Sequence, residues 1–115
     1  AAFFGDYDLL ICPATLCPPF DADWRYPEQW DGVQFSGYMH WLILTYAVTL
    51  TACPVLALPG GFTSSGLPLG LQVIGRPKGE AALFAQGAWI EMLLGQAAAT
   101  PIDPRVVEAG LDHYS

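Results

Sequence analysis

Two apolar runs joined by a short Gly/Ser segment dominate the hydrophobic pattern of the chain. The first covers residues 55–58 and the second residues 69–74. Alternation along the second run places Leu69, Leu71 and Val73 on one face and Gly70, Gln72 and Ile74 on the other. Small polar residues between the runs supply the conformational freedom that a turn needs. The pattern predicts two strands that are buried on both faces.

Helices and a third strand are predicted around this pair. Residues 37–52 can form a helix that ends before Pro54, and a second helix begins at residues 79–80 and runs to about Leu94. Residues 7–13 form a short apolar run that predicts a buried strand. Alternating strands and helices of this kind are typical of the α/β class.

Residues 13–37 show little periodicity and contain several prolines and aromatic residues. This composition predicts a long ordered loop. Loops of this length inside a compact protein usually border or cover a binding site. A candidate pocket is therefore expected beside this segment.

Charge is scarce and unevenly distributed. Charged residues make up 13% of the chain and hydrophobic residues 53%, and no position from 32 to 75 holds Asp, Glu, Lys or Arg. A small domain exposes most of its chain, so this stretch indicates burial by a larger enzyme, a partner or a bilayer. The formal net charge of −7 argues against nucleic-acid binding, because no basic cluster is available to replace phosphate counterions.

Other classes of protein are disfavoured by composition and spacing. Residues 41–58 carry no charge, but Pro54 and acidic flanks argue against a membrane span. The first residues lack the basic region of a signal peptide. Three cysteines are an odd number, which favours free thiols and a cytoplasmic location. Cysteine and histidine spacing predicts neither a metal site nor a cofactor.

Three motifs, in order, resemble the amidase signature family. Tyr-Asp-Leu-Leu followed by Cys-Pro-Ala-Thr occupies residues 7–15, and Thr-Tyr-Ala-Val-Thr-Leu-Thr occupies residues 45–51. The third motif spans residues 59–80 and contains Gly-Leu-Pro-Leu-Gly-Leu-Gln, which is the most specific of the three. Together the matches extend over residues 7–91.

The resemblance implies a fold and a chemistry. Members of the family are serine hydrolases that cleave carboxamides with a serine nucleophile, a second serine in a cis peptide and a lysine base. All of these lie amino-terminal to the matched part, so the resemblance implies no catalytic residue and no cofactor in this chain. It implies a mixed sheet flanked by helices, with residues 1–95 as the carboxy-terminal part of the domain and residues 96–115 as an irregular tail.

Three positions depart from the family pattern. Thr49 and Ala52 stand where the family prefers Asn and Gly, and both fall at a helix end, where Asn and Gly favour a left-handed backbone. Leu42 occupies the place of an Asp that is usual in the glutamyl-tRNA amidotransferase branch. This last difference favours a stand-alone amidase.

Several residues invite a catalytic interpretation that the sequence does not support. Ser64 and Ser65 fall in the turn between the strands, and Lys78 falls in a loop before a helix. His40 has no serine, cysteine or acid following it at a suggestive spacing. Cys17 could be a nucleophile, although free cysteines are more often small core residues.

Aromatic residues are dense between Trp24 and Tyr46, and they admit two interpretations. They could form core and interface packing, or they could line an apolar pocket for the acyl part of an amide. We predict that Thr15, Cys17, Trp41 and Thr45 face a substrate pocket.

These observations predict the carboxy-terminal part of an amidase, inactive alone, that acts on a small-molecule amide together with the amino-terminal part of the same protein. The alternative is a non-catalytic interaction module that uses an exposed apolar surface. Strand edges left unpaired in an isolated chain also predict association into a homo-oligomer.

Overall fold

The computed structural model describes residues 2–96. The tail predicted for residues 96–115 lies, apart from Gln96, outside the described residues. Within the described range the helices and strands, in chain order, are α1 (Phe3–Asp6), β1 (Leu10–Pro13), β2 (Gln29–Trp30), β3 (Val33–Gln34), α2 (Tyr38–Trp41), α3 (Ile43–Thr49), β4 (Val55–Phe62), β5 (Pro68–Ile74) and α4 (Glu80–Leu94).

The main sheet of the described residues has the strand order β1–β5–β4. Both pairings are antiparallel, with Cys12 opposite Gln72 in one ladder and Ala57 opposite the same residue in the other. Helices accompany this sheet, which confirms the α/β class. Strand β4 continues past the predicted end at Leu58 because an irregularity between Pro59 and Gly61 lets it follow β5 as far as Phe62.

The first predicted strand is shorter and less buried than expected. We predicted a buried strand over residues 7–13, whereas β1 begins at Leu10 and lies at the edge of the sheet. The side chains of Leu10 and Ile11 are 43% and 48% exposed. Strand β1 pairs only with β5 in the described part of the chain, so its outer edge is left uncovered.

The predicted helix over residues 37–52 is divided into α2 and α3. Leu42 separates them with φ −87° and ψ 4°, and its carbonyl accepts the N–H groups of both Thr45 and Tyr46. Aromatic and β-branched side chains lose rotamer freedom in a helix, so this segment holds an uninterrupted helix only weakly. Thr51 Oγ1 donates to the carbonyl of Val48 just past the end of α3. Such a bond competes with the helical ladder.

Helix α4 packs on the sheet and closes the small core. Leu83 of α4 meets Leu58 and Val73, with Leu56 and Ile90 packed around them. Leu83 and Gly87 are the buried residues of α4. Burial of apolar area between one helix and one hairpin is therefore the main stabilising contact.

Part of the predicted loop between β1 and α2 is a two-stranded hairpin. Strands β2 and β3 pair antiparallel, and the two residues between them, Asp31 and Gly32, have φ of 46° and 78°. Positive φ at both central positions is what a type I′ turn requires, and Asp-Gly is a favoured pair for it. The hairpin gives the aromatic segment a defined backbone.

Candidate functional site

A groove of about 270 Å³ lies where the loop after β1 meets the β4–β5 hairpin. Its lining is almost entirely apolar, and Trp41 of α2 contributes the largest side chain. The lining residues are Ala14, Thr15, Cys17, Pro18, Pro19, Phe20, Trp41, Pro68, Leu69 and Gly70. A second hollow of about 420 Å³ shares Ala14 and Pro68–Gly70 and continues along the hairpin.

Three of the four predicted substrate-binding residues line this groove. Thr15, Cys17 and Trp41 are brought together there, although Trp41 is distant in sequence from the other two. Thr45 does not line it; it is exposed on α3, where its carbonyl accepts the hydroxyl of Thr49. The helix break at Leu42 separates Thr45 from Trp41. Substrate binding by all four residues stays a prediction.

Thr15 and Cys17 form a tight local turn at the groove. Thr15 Oγ1 donates to the carbonyl of Cys17 over 2.7 Å, so the hydroxyl proton is already committed to the backbone. Cys17 is buried, and this burial raises the pKa of its thiol. A raised pKa keeps the thiol neutral near pH 7, which argues against a nucleophilic role. Both residues therefore shape the wall.

Trp41 is held by aromatic neighbours. The ring of Phe20 meets it edge to face at 5.4 Å, and Tyr38 meets it in the same manner at 6.2 Å. The indole Nε1 is buried without a hydrogen-bond partner among the described residues. Phe20 was not among the predicted site residues, and the only signal for it in sequence is its place in the aromatic-rich loop.

Gln72 is a polar residue in the middle of an apolar strand, and its contacts account for its place there. It is buried in β5, and its Nε2 donates to the carbonyl of Pro13 at 3.3 Å and contacts Cys12 Sγ at 3.8 Å. The neighbouring Gly70 leaves room for the loop, since a Cβ there would lie 3.1 Å from that of Ala14. Together they fix the start of the loop against the hairpin.

Residues that could suggest catalysis are not assembled into a hydrolytic site in the part of the chain that the structure describes. Ser64, Ser65 and Lys78 are exposed, and the hydroxyl of Ser65 is paired with that of Thr63 at 2.9 Å. His40 Nδ1 lies 3.3 Å from Ser36 Oγ but also accepts the backbone N–H of Ser36 at 3.0 Å. This lone pair is thus occupied by a local backbone contact.

Comparison with known proteins gives a family. A family model described as Amidase matches residues 1–84. The chain belongs to the amidase family. No solved structure matches this amidase chain.

Curated relatives of this amidase chain include amidotransferase components and an acylamidase. The A subunit of glutamyl-tRNA(Gln) amidotransferase from Methylocella silvestris is 35% identical over 100 residues, which cover 87% of this chain and 19% of the relative. Its counterpart of the same name from Roseobacter denitrificans is 37% identical over 93 residues, which cover 81% and 18%. Acylamidase of Rhodococcus erythropolis is 29% identical over 105 residues, which cover 91% and 22%. The chain thus spans about a fifth of the length of these relatives.

Residues 2–96 lack the features of two other kinds of site. No helix there combines the length and apolar character needed to cross a bilayer. The same residues hold no group of three or more His, Cys, Asp or Glu side chains that could bind a metal ion. All three cysteines are free thiols.

Proposed function

We propose that this chain is the carboxy-terminal part of an amidase that hydrolyses a small-molecule carboxamide to a carboxylate and ammonia or an amine. The observation that carries the proposal is the Amidase family match over residues 1–84. An acylamidase among the relatives supports hydrolysis of a C–N bond. Leu42, in the place of the Asp usual in the amidotransferase branch, supports a stand-alone enzyme.

The catalytic groups of the proposed enzyme lie outside this chain. A serine hydroxyl attacks an amide only when a base takes its proton, and the tetrahedral intermediate needs donors arranged in advance. The resemblance assigns these tasks to a serine, a cis-peptide serine and a lysine amino-terminal to the matched part. The lack of a nucleophile–base constellation among residues 2–96 is consistent with that division. The chain alone is therefore proposed to be inactive.

Helix α4 supports the proposal that the amino-terminal part of the same protein covers this chain. Its outward side carries four large apolar side chains, each 63–66% exposed: Phe84, Trp89, Met92 and Leu93. A helix that is apolar on all sides is normally buried on all sides. The chain spans about a fifth of the relatives' length, so ample polypeptide exists in such proteins to cover this side.

The groove supports an acyl group with apolar character. Its wall is built from proline, leucine and aromatic side chains, and its hydroxyl at Thr15 is already bonded within the wall. Apolar walls contribute affinity by removing apolar ligand surface from water. Aromatic or aliphatic amides are thus the proposed substrates, with Trp41 in contact with the acyl part.

The test is made on the full-length polypeptide that contains this chain, by measuring ammonia release from benzamide and from acetamide. Trp41→Ala should raise KM for benzamide about tenfold with little change in kcat. Leu50→Ala, at an exposed residue that does not line the groove, should leave both constants unchanged. Trp41→Phe should retain most of the affinity. Equal effects of the two alanine variants would contradict the proposed contact.

A second measurement separates an enzyme part from an interaction module, which the exposed apolar side of α4 also favours. The 115-residue chain alone should release no ammonia, and adding the polypeptide that precedes it should restore activity. Hydrolysis by the chain alone would overturn the division of labour. Tight binding of other proteins without any amidase activity in the full-length polypeptide would favour the module.

A further inference from the structure

We propose that the segment between β1 and α2 carries a binding site for an organic ammonium cation. The site is a cavity of about 510 Å³ lined by Trp24, Tyr26, Glu28, Gln29 and Trp30. This volume falls in the usual range of small-molecule sites. No residue of this lining belongs to the groove described above. The inference is therefore independent of amide hydrolysis.

Three aromatic rings give the cavity its affinity for positive charge. The face of an aromatic ring is electronegative, and Trp attracts cations more strongly than Tyr or Phe. Trp24 and Trp30 are 57% and 47% exposed, and although the Trp24 ring is stacked on Phe20 at 6.4 Å, part of each indole is left accessible to a ligand. Enclosure by several aromatic rings is the usual means of binding a quaternary ammonium group.

Glu28 supplies the one formal charge of the lining. It is exposed, and among residues 2–96 its carboxylate has neither a hydrogen bond nor an ion pair. An ammonium ion would pair with this exposed carboxylate, a gain that water and salt partly screen, whereas a neutral ligand would gain nothing from it. A metal ion is disfavoured because the other walls offer rings and a single amide rather than further carboxylates.

The neighbouring charges favour the same sign of ligand. Asp21, Asp23 and Asp31 lie in the same segment, and its one basic residue is Arg25. The guanidinium of Arg25 lies 5.7 Å from the centre of the Tyr38 ring, outside the cavity lining. Arg25 thus already has an aromatic partner of its own outside the cavity.

The backbone around the cavity is held by contacts within the chain. Pro27 is fully buried, and the carbonyl of Glu28 accepts the N–H of Phe35 at 2.8 Å. The β2–β3 hairpin carries Gln29, whose Oε1 accepts Nε2 of Gln34 at 2.8 Å. A site whose backbone is ordered beforehand loses less conformational freedom on binding.

The experiment compares choline with its neutral isostere 3,3-dimethylbutan-1-ol, using the full-length polypeptide and titration calorimetry. Choline should bind at least about tenfold more tightly, because only it gains from the rings and the carboxylate. Added NaCl should weaken the binding of choline more than that of the alcohol. Equal affinity for the two compounds, or no binding of choline, would overturn the proposal.

Variants locate the binding in this cavity. Glu28→Gln preserves the shape and removes the charge, and it should weaken choline binding about threefold, as expected for an exposed ion pair. Trp30→Ala should do the same while Trp30→Phe, which keeps a ring, should lose less. Glu80→Gln, an exposed carboxylate on α4, should have no effect, and circular dichroism should show an unchanged fold for all variants. Unchanged affinity in Glu28→Gln or in Trp30→Ala would place any binding elsewhere and overturn the assignment.

Discussion

Helix α4 approaches the sheet most closely at Gly87, and adding one methyl group there tests the packing of the core. A Cβ at Gly87 would overlap Cδ2 of Leu56, which itself packs against the core. Two opposing effects follow from Gly87→Ala. Alanine is favoured over glycine inside a helix by about 1 kcal/mol, whereas overpacking costs about 1–3 kcal/mol. With an overpacking cost of about 2 kcal/mol, we expect a net loss of about 1 kcal/mol in the free energy of unfolding.

The sign of this effect should reverse when Leu56 is shortened. In a Leu56→Ala background the overlapping atom is gone, so Gly87→Ala should stabilise by about 1 kcal/mol. The two substitutions are thus coupled by about 2 kcal/mol. Ala88 is the next residue and is exposed, so Ala88→Gly measures the difference in helix propensity alone. It should lower the free energy of unfolding by about 1 kcal/mol.

Urea unfolding of the four proteins of the cycle, followed by circular dichroism, measures these differences. The urea concentrations at the midpoint of unfolding are compared only where the slope of the free energy against urea concentration is unchanged. A changed slope would report a different denatured state. If Gly87→Ala stabilises equally with Leu56 present and absent, the close contact between α4 and β4 is refuted. A loss in both backgrounds would show that something other than Leu56 opposes the methyl group.

Three further outcomes are expected. Ala52 has φ +55°, so Ala52→Gly should raise the free energy of unfolding by urea by about 0.5 kcal/mol, after the entropy of the unfolded chain is counted. Ala47→Gly, inside α3, should lower it by about 1 kcal/mol. A loss at both positions would contradict the backbone strain at Ala52. Gly32 has φ +78°, so Gly32→Ala should destabilise the β2–β3 hairpin by about 1 kcal/mol and speed hydrogen exchange of its amides. Gly37 lies in extended backbone with open space around it, so Gly37→Ala should leave this exchange unchanged. Burial raises the pKa of the Cys17 thiol, so alkylation of Cys17 at pH 8, followed by mass spectrometry, should be slower in the folded chain than in the urea-unfolded chain. The contribution of the buried Cys17 thiol to the free energy of unfolding should be lost as pH rises above the pKa of the unfolded thiol, because the unfolded thiol ionises first. Equal alkylation rates would contradict a buried thiol.

Elements with a clear apolar period were predictable from sequence. Helix α4 was predicted to begin at residues 79–80 and to run to about Leu94, and it spans Glu80–Leu94. The β4–β5 pair followed from two short apolar runs bounded by turn residues, but the predicted burial on both faces was wrong toward the turn, where Pro68, Leu69 and Gly70 are exposed. In each case neighbouring residues in sequence determine the element, so local pattern is sufficient.

The errors arose where tertiary contacts decide. The break at Leu42 was missed because it depends on backbone geometry that no apolar period records. The exposure of β1 was missed because a strand with an apolar sequence gives no sign of whether its neighbour belongs to the same chain. The same limit applies to the groove. Thr15, Cys17, Trp41 and Thr45 were predicted together, yet Thr45 does not line the groove. Phe20 is identified only by its contact with Trp41.

The pairing of β1 with β5 joins residues about 60 positions apart, as between Cys12 and Gln72. Between β1 and β4 the chain leaves this sheet, and there it builds the whole lining of the 510 Å³ cavity and most of the lining of the groove. The entropic cost of closing so long a loop depends only weakly on its length, since each doubling of the length adds only about 0.6 kcal/mol. Insertions and deletions between Pro13 and Tyr38 should therefore be tolerated by the sheet, so this segment could change its ligand without a change in strand pairing.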